Sequence, residues 1–484
     1  MCVQARTSGG LMMSMVRWVR LSGVLLFALA SGCAQFVPRP LSAQRSVAAF
    51  RARSLQNPRL RAFLAANHVP PPGPGGRWGL KALTLTAIYY QPALAEARAR
   101  LLMAQAAQIT AAERPNPSLA VGPGYDRGVA AVPSPWIVPI ALDWPLETAG
   151  RRGDRMALAL HEAAMGRWDL IGTVWRVRSR LRTGLLRLFA ARRTARLLAR
   201  ETAALKRILT LLQGQLAAGN VSSFEVTQAR IALDKAVLAR QAAAGQVRRA
   251  RIALAGALGV TPRALSGVRL SFAQFNEFPR QLTRPQVRRQ ALIDRADVRA
   301  ALEQYAASQS ALQLQIARQW PDIDLGPGFT WNGQLAGDSE WQLGLRLTLP
   351  VLNHNQGPIA EARARRRWAA AHFLAVQAAA INEIDGTLAA YRSSLTQQAT
   401  AESLLRALEQ RLRAVRSQVA SGESPPLDLS TAEVAFDSGA RDALNAHVHA
   451  QMALGRLEAA LQSPLTLAPS TLQAVQATKS RVNE

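Results

Sequence analysis

Leu119-Ala120-Val121-Gly122-Pro123-Gly124-Tyr125 returns later in the chain as Ile323-Asp324-Leu325-Gly326-Pro327-Gly328-Phe329, an offset of 204 (323 minus 119). The same offset lays Gln91-Pro92-Ala93-Leu94 on Arg295-Ala296-Asp297-Val298. Trp136 to Pro145 falls on Trp341 to Pro350 at 205 (341 minus 136). Gly219, Phe224, Glu225, Val226 and Ala229 fall on Gly422, Leu427, Asp428, Leu429 and Ala432 at 203 (422 minus 219). Segments of different character keep a nearly constant spacing, so the chain holds two copies of one unit. Each copy reads helix, strand, strand, very long helix, tight turn, long helix.

The strands alternate with period 2. Leu119, Val121 and Tyr125 point one way, and Ser118, Ala120, Gly122 and Gly124 the other. Trp136, Val138, Ile140, Leu142 and Trp144 share a face of the next strand. In the second copy Ile323, Leu325, Phe329 and Trp331 oppose Asp322, Asp324, Gly326 and Thr330. Trp341, Leu343, Leu345, Leu347 and Leu349 oppose Gln342, Gly344, Arg346 and Thr348. Strands of about nine to eleven residues with one apolar face suit a tilted transmembrane β-strand. A half-buried soluble hairpin carries the same alternation, and Pro123, Pro139 and Pro327 lie inside it. On the barrel reading Asp322, Asp324 and Arg346 line a lumen. Four strands cannot close, so such a chain must oligomerise, and three copies give twelve strands.

The helices are long. No proline lies between Leu146 and Thr261 or between Ile359 and Ser424. Leu185, Leu188, Leu197, Leu205, Ile208 and Leu212 follow mixed three- and four-residue spacing, a coiled-coil-like seam. Gly219 and Gly422 stop a long helix, and Glu225 and Asp428 open the returning ones at matched positions. The expected fold is therefore α+β and mainly α, with two pseudo-repeats. Its organisation is a signal peptide (1–32), an extended segment (33–80), repeat 1 (81–265), a linker (266–289), repeat 2 (290–462) and a tail (463–484). Strands are expected at about 117–127, 136–145, 321–331 and 341–350. Helices are expected at 82–114, 154–218, 223–258, 290–319, 358–421 and 427–462.

Of 484 residues 49% are hydrophobic, enough for a sizeable core. The two cysteines, Cys2 and Cys33, exclude a disulfide framework and a thiolate metal cluster. The net charge is +28, carried almost wholly by arginine. Arg176, Arg180, Arg187 and Arg192 recur at roughly helical spacing, which reads as solvated helix faces, and no nucleic-acid motif accompanies them. Enzyme motifs fail too. His161-Glu162 lacks the second histidine of a zinc protease, and His447 and His449 fall on different helix faces. Gly122-Pro123-Gly124 lies in a strand, not before a helix. No cofactor or metal site is expected.

Arg17 and Arg20 precede the apolar run Leu21 to Ala30, and Ala30-Ser31-Gly32-Cys33 follows, as in an export signal. Met12, Met13 and Met15 offer alternative starts. The segment resembles a bacterial lipoprotein signal with Cys33 as the acylated residue, although Ala30 stands where that pattern prefers Leu. Ala34 is not the Asp of inner-membrane retention, so the resemblance implies the outer membrane.

Residues 81 to 462 resemble the TolC family of outer-membrane efflux channels. The paired repeats, the Pro350-Val351-Leu352-Asn353-His354-Asn355-Gln356-Gly357 segment and the acidic turns after Gly219 and Gly422 carry the likeness. The lipid signal and second half resemble the CzcC-like branch serving heavy-metal or drug exporters. The resemblance implies a homotrimer with a twelve-stranded barrel continued by a periplasmic α-barrel, docked on an adaptor protein and an inner-membrane pump. It places Gly219, Val221, Gly422 and Ser424 at an adaptor-docking tip, and Glu225 and Asp428 at an entrance constriction. Thr431 replaces a second acidic residue found in some members. Helix capping explains Glu225 and Asp428 equally well. A soluble periplasmic coiled-coil scaffold is the alternative to the duct.

Overall fold

The computed structural model describes residues 35–73, 75–126, 134–279, 289, 292–333 and 338–465. Two compact units divide at Ala52 and Arg53. The first carries helix α1 (Ala43–Arg51), capped by Ser42 Oγ, which accepts from the Arg45 backbone N–H.

The second unit opens with α2 (Pro58–Ala66), where Asn57 caps and Pro58 supplies the preset first turn. Strand β1 (Arg77–Trp78), α3 (Leu80–Tyr90) and α4 (Pro92–Ala112) follow. Next come β2 (Ser118–Val121), β3 (Gly124–Tyr125) and β4 (Trp136–Leu146). Helix α5 (Arg151–Ala217) has 67 residues and so runs roughly 100 Å. Helix α6 (Ser223–Leu258) returns along it. The connection to repeat 2 holds β5 (Arg269–Leu270), which pairs in parallel with β1, between two short 3₁₀ turns. Repeat 2 then gives α7 (Ala296–Ala317), β6 (Ile323–Asn332), β7 (Asp338–Leu347), α8 (Gln356–Ala420) and α9 (Pro426–Leu461). The unit is mostly helical.

Apart from the β1–β5 pair, the strands form one antiparallel sheet in the order β2-β4-β6-β7, with β3 also on β4. The two hairpins therefore meet through β4 and β6, inside a single chain. Leu60, Leu64, Leu83, Leu181, Leu185, Leu188, Leu254, Leu258 and Phe275 form the main core. Ile384, Tyr391, Leu454, Leu457 and Leu461 form a second in repeat 2.

Several expectations change. Residues 82–114 are two helices, because Pro92 pushes Gln91 out of the helical region (ψ 119°). The segment expected to be extended contains α1 and α2, whose second helix buries Leu60 and Leu64. The first strand breaks at Gly122-Pro123 into β2 and β3, since proline cannot donate to the ladder. Strand β7 ends at Leu347, so Thr348, Leu349 and Pro350 lie beyond it. The linker, over its described part, packs into the core through Phe275, which is fully buried. Cys33, the leader and residues 466–484 of the tail lie outside the described residues.

Candidate functional site

The register of the sheet puts most of the large apolar side chains of its five strands on one side. Val121 pairs with Ile140, Ile140 with Phe329 and Phe329 with Trp341, a continuous row across the sheet. A second row runs Trp144, Leu325, Leu345. These side chains meet little protein: Trp341 is 80% exposed, Leu343 76% and Leu345 68%. An uncovered apolar surface this continuous marks contact with membrane or partner. Tyr125 and Trp136 pack edge to face at one end, with ring centroids 5.1 Å apart. Among the described residues no helix is long and apolar enough to cross a membrane.

The opposite side carries small and polar residues, together with Ile137 and two prolines of β4. Asp324 pairs with Arg346 in the register, and Arg346 Nη1 lies 3.6 Å from Asp143 Oδ2. Asp322, expected on the strand, stands one residue before β6. There its carboxylate accepts from the Thr148 backbone N–H (3.2 Å) and from Arg151 Nη1 (2.6 Å). It fastens the turn that leads from β4 into α5, where Ala149 and Gly150 both have positive φ. At the matching turn of repeat 2, Asn355 takes the left-handed conformation (φ 60°), and its Nδ2 donates to Gln315 O at 2.7 Å. Beside the first turn, Arg155 Nη1 lies 2.5 Å from Glu147 Oε1. That guanidinium holds the Glu147 carboxyl below the usual carboxylate range.

At the far end of the long helices the two repeats use one geometry. Gly219 (φ 76°) donates to Leu216 O at 3.0 Å, and Asn220 donates to Gln215 O at 2.9 Å. Gly422 (φ 81°) donates to Val419 O at 3.2 Å, and Glu423 donates to Gln418 O at 2.8 Å. Each is a Schellman closure, which glycine satisfies without strain. Ser222 Oγ accepts from the Glu225 backbone N–H, while Pro426 opens the second return helix. Glu225 and Asp428 are exposed; Val221 and Ser424 are partly covered. Phe224, 68% exposed beside the first turn, entered the sequence analysis only as a repeated residue and not as a member of the tip. Its signal was its place in the repeated segment.

Sequence reasoning also missed a buried joint between the repeats. Arg178 on α5 lies 3.1 Å from Glu458 on α9, with both side chains almost wholly enclosed. Arg182 donates to Gln451 O (2.6 Å) and to Gln451 Oε1 (2.9 Å). Gln451 Nε2 in turn donates to Phe275 O and Glu277 O in the connection, each at 3.0 Å. His447 Nε2 donates to Phe275 O at 2.6 Å, so this histidine is a structural donor. Toward the turns, Arg441 pairs with Glu201 (2.7 Å), Arg200 with Asp437 (2.6 Å) and Arg207 with Glu433. Arginines on a long helix thus do more than solvate it. No cluster of three His, Cys, Asp or Glu that could hold a metal occurs among the described residues.

The sequence matches the family model of the outer membrane efflux proteins over residues 86–260 and 287–462. The fold is similar to the outer membrane protein VceC of Vibrio cholerae, with TM-score 0.64 and 19% identity over 80% of this chain and 96% of that one. It is similar to the CmeC outer membrane channel of Campylobacter jejuni, with TM-score 0.65 and 15% identity over 93% and 98%. It is also similar to the MtrE outer membrane channel of Neisseria gonorrhoeae, with TM-score 0.64 and 18% identity over 80% and 89%. No curated protein matches the sequence.

Proposed function

Since this chain belongs to the outer membrane efflux protein family, we propose that it forms the passive outer-membrane duct of a tripartite efflux assembly. Three copies would join their sheets into a twelve-stranded barrel, and the long helices would continue it into the periplasm. One observation carries this reading: the apolar row Val121–Ile140–Phe329–Trp341 on one side of the sheet, exposed at Val121, Ile140 and Trp341, with Asp143, Asp324 and Arg346 on the other. A lipid-facing and a lumen-facing side require this separation, and an open edge in lipid requires a neighbour.

In this reading Asp322 stands at the inner mouth of the barrel, and Asp324 and Arg346 line its lumen. The turns at Gly219, Val221, Gly422 and Ser424 meet a periplasmic adaptor, which links the duct to an inner-membrane pump. Glu225 and Asp428 ring the entrance, where carboxylates attract cations in a narrow opening. Cys33 is acylated and anchors the mature chain in the outer membrane. The cargo is a metal ion or a small organic molecule, and growth of a deletion strain on a panel of both would assign it.

Fractionation and electrical recording test the proposal. A heat-sensitive trimer in the outer membrane that conducts in a planar bilayer supports it. A monomer in the soluble periplasmic fraction would sink it and leave a coiled-coil scaffold. Asp428→Asn should change cation selectivity; unchanged selectivity reduces Asp428 to a helix-opening residue. Cys33→Ser should abolish acyl labelling while the barrel still assembles.

A further inference from the structure

Midway along α5 the chain repeats basic residues on one face, at positions 192, 193 and 196, beside Phe189. Spacings of three, four and seven from Phe189 place all four on one side of the helix. That side borders a half-open cavity of about 580 Å³. Arg77 from β1 closes it from across the sheet strand, and Ser271 and Asn276 from the connection add a hydroxyl and an amide. No carboxylate lines it, and these four arginines form no ion pair among the described residues.

Aromatic rings hold two of the guanidinium groups in their place. Arg192 sits 5.7 Å from the Phe272 ring centre and Arg193 5.7 Å from that of Phe189. A ring positions a guanidinium through its flat face and leaves its N–H fork directed outward. Burial pushes the Arg192 guanidinium below the usual arginine value, and repulsion from Arg251 and Arg196 adds to the effect. An anion in the cavity would offset the repulsion among these arginines through its opposite charge.

We propose that this cavity binds a phosphate-bearing small molecule. Arginine forks match phosphate oxygens in pairs, and several unpaired cations around one concavity favour a group with more than one negative charge. The volume exceeds what one inorganic phosphate fills, so an ester carrying an organic part fits it better. Such a group can arrive as a soluble phosphate ester or as a lipid headgroup. The site is separate from the sheet and the turns, and its occupancy does not depend on the duct reading.

Titration calorimetry of the purified full-length chain in detergent tests the proposal. The probes are inorganic phosphate, glycerol 3-phosphate and the short-chain lipid dihexanoylphosphatidylglycerol, with glycerol as the uncharged control. Glycerol 3-phosphate should bind, glycerol should not, and affinity should fall as salt is added. The double variant Arg192→Gln/Arg196→Gln should bind about tenfold more weakly or worse, since each loses hydrogen bonds to a charged group. Arg230→Gln, on an exposed face of α6, should bind as the unsubstituted chain does. Binding of the lipid probe alone supports the phosphate chemistry and names a headgroup as its source. Absence of heat with all three phosphates overturns the proposal, as does undiminished binding in a double variant whose thermal unfolding is unchanged.

Discussion

Gln91 and Arg295 occupy the same place in the two repeats, and each holds the carboxyl end of its own repeat's last helix. Gln91 Nε2 donates to Gly256 O (3.1 Å) and Ala257 O (3.0 Å) at the end of α6. Arg295 Nη1 donates to Ala460 O (2.7 Å) at the end of α9. Helix ends leave carbonyls without partners, and an amide or a guanidinium supplies the missing donor equally well. Arg295 adds ion pairs to Asp297 (2.7 Å) and Glu383 (2.8 Å). Arg295→Ala should therefore cost about 1–3 kcal/mol through the uncovered carbonyl and lost pairs, and Gln91→Ala about 1 kcal/mol. Arg295→Gln should recover the helix end but not the pairs. Hydrogen exchange in the last turns of α6 and α9 would show this order; equal protection in all three variants would refute it.

Leu345→Arg should block stable assembly in the membrane, because a charge on the lipid side of a barrel costs about 2–4 kcal/mol near the midplane. Gln342→Arg, on the polar side of β7, should assemble normally. Gly344 is a poor control, since a Cβ there would lie 3.2 Å from Gly326 O. Membrane fractions of the two variants decide the matter, and identical yields would remove the lipid-facing assignment.

Gly422→Val should strain the second tip turn by about 1–2 kcal/mol, because a β-branched residue is forced into the left-handed region. Nothing lies within 4 Å of an added Cβ, so the penalty comes from the backbone alone. Gly422→Asn should therefore be nearly silent. Limited proteolysis at the turn reads the difference, and equal cleavage of both variants would show that the conformation is not demanding.

Glu147 gives the strand-to-helix turn a dependence on pH. Its carboxyl titrates lower in the folded chain than when free, so the pair with Arg155 contributes fully above the free value, about 4.3. That contribution fades as pH falls through the lower folded value. Glu147→Gln should flatten stability below about pH 4.5 relative to the unsubstituted chain. Thermal unfolding followed from pH 3 to pH 7 checks it, and parallel profiles would exclude the pair as a source.

The two faces of the strands were legible in the sequence because alternation has a period of two and both hairpins repeat it; the register that joins β4 to β6 was not, because alternation within a strand does not name its partner. The turns at Gly219 and Gly422 were legible because only glycine closes them easily. Arg178 and Arg182 were not. They stand four apart on one face of α5, but nothing in a long, evenly polar helix says which face will meet a neighbour. The same blindness hid the cavity beside Arg192, which looked like solvated charge. Strand β5 was invisible because two residues carry no period. Asp322 was misplaced by one residue, since an aspartate ending a loop and one starting a strand look alike.

The pairing of β4 with β6 has a consequence for the order in which the chain organises itself. Each hairpin and each pair of adjacent long helices joins near neighbours in sequence. The central strand pair instead joins Ile137 to Asn332, and the enclosed joint links Arg178 to Glu458, 280 residues apart. Loop closure over such distances is entropically dear and slow. Local helical hairpins should consolidate early in synthesis; the sheet waits for β7, and the joint waits for the last helix. Leu343, Leu345 and Trp341 stand in the open even in the finished chain, so from the moment β7 is made this sticky surface waits for a cover that the chain cannot itself supply.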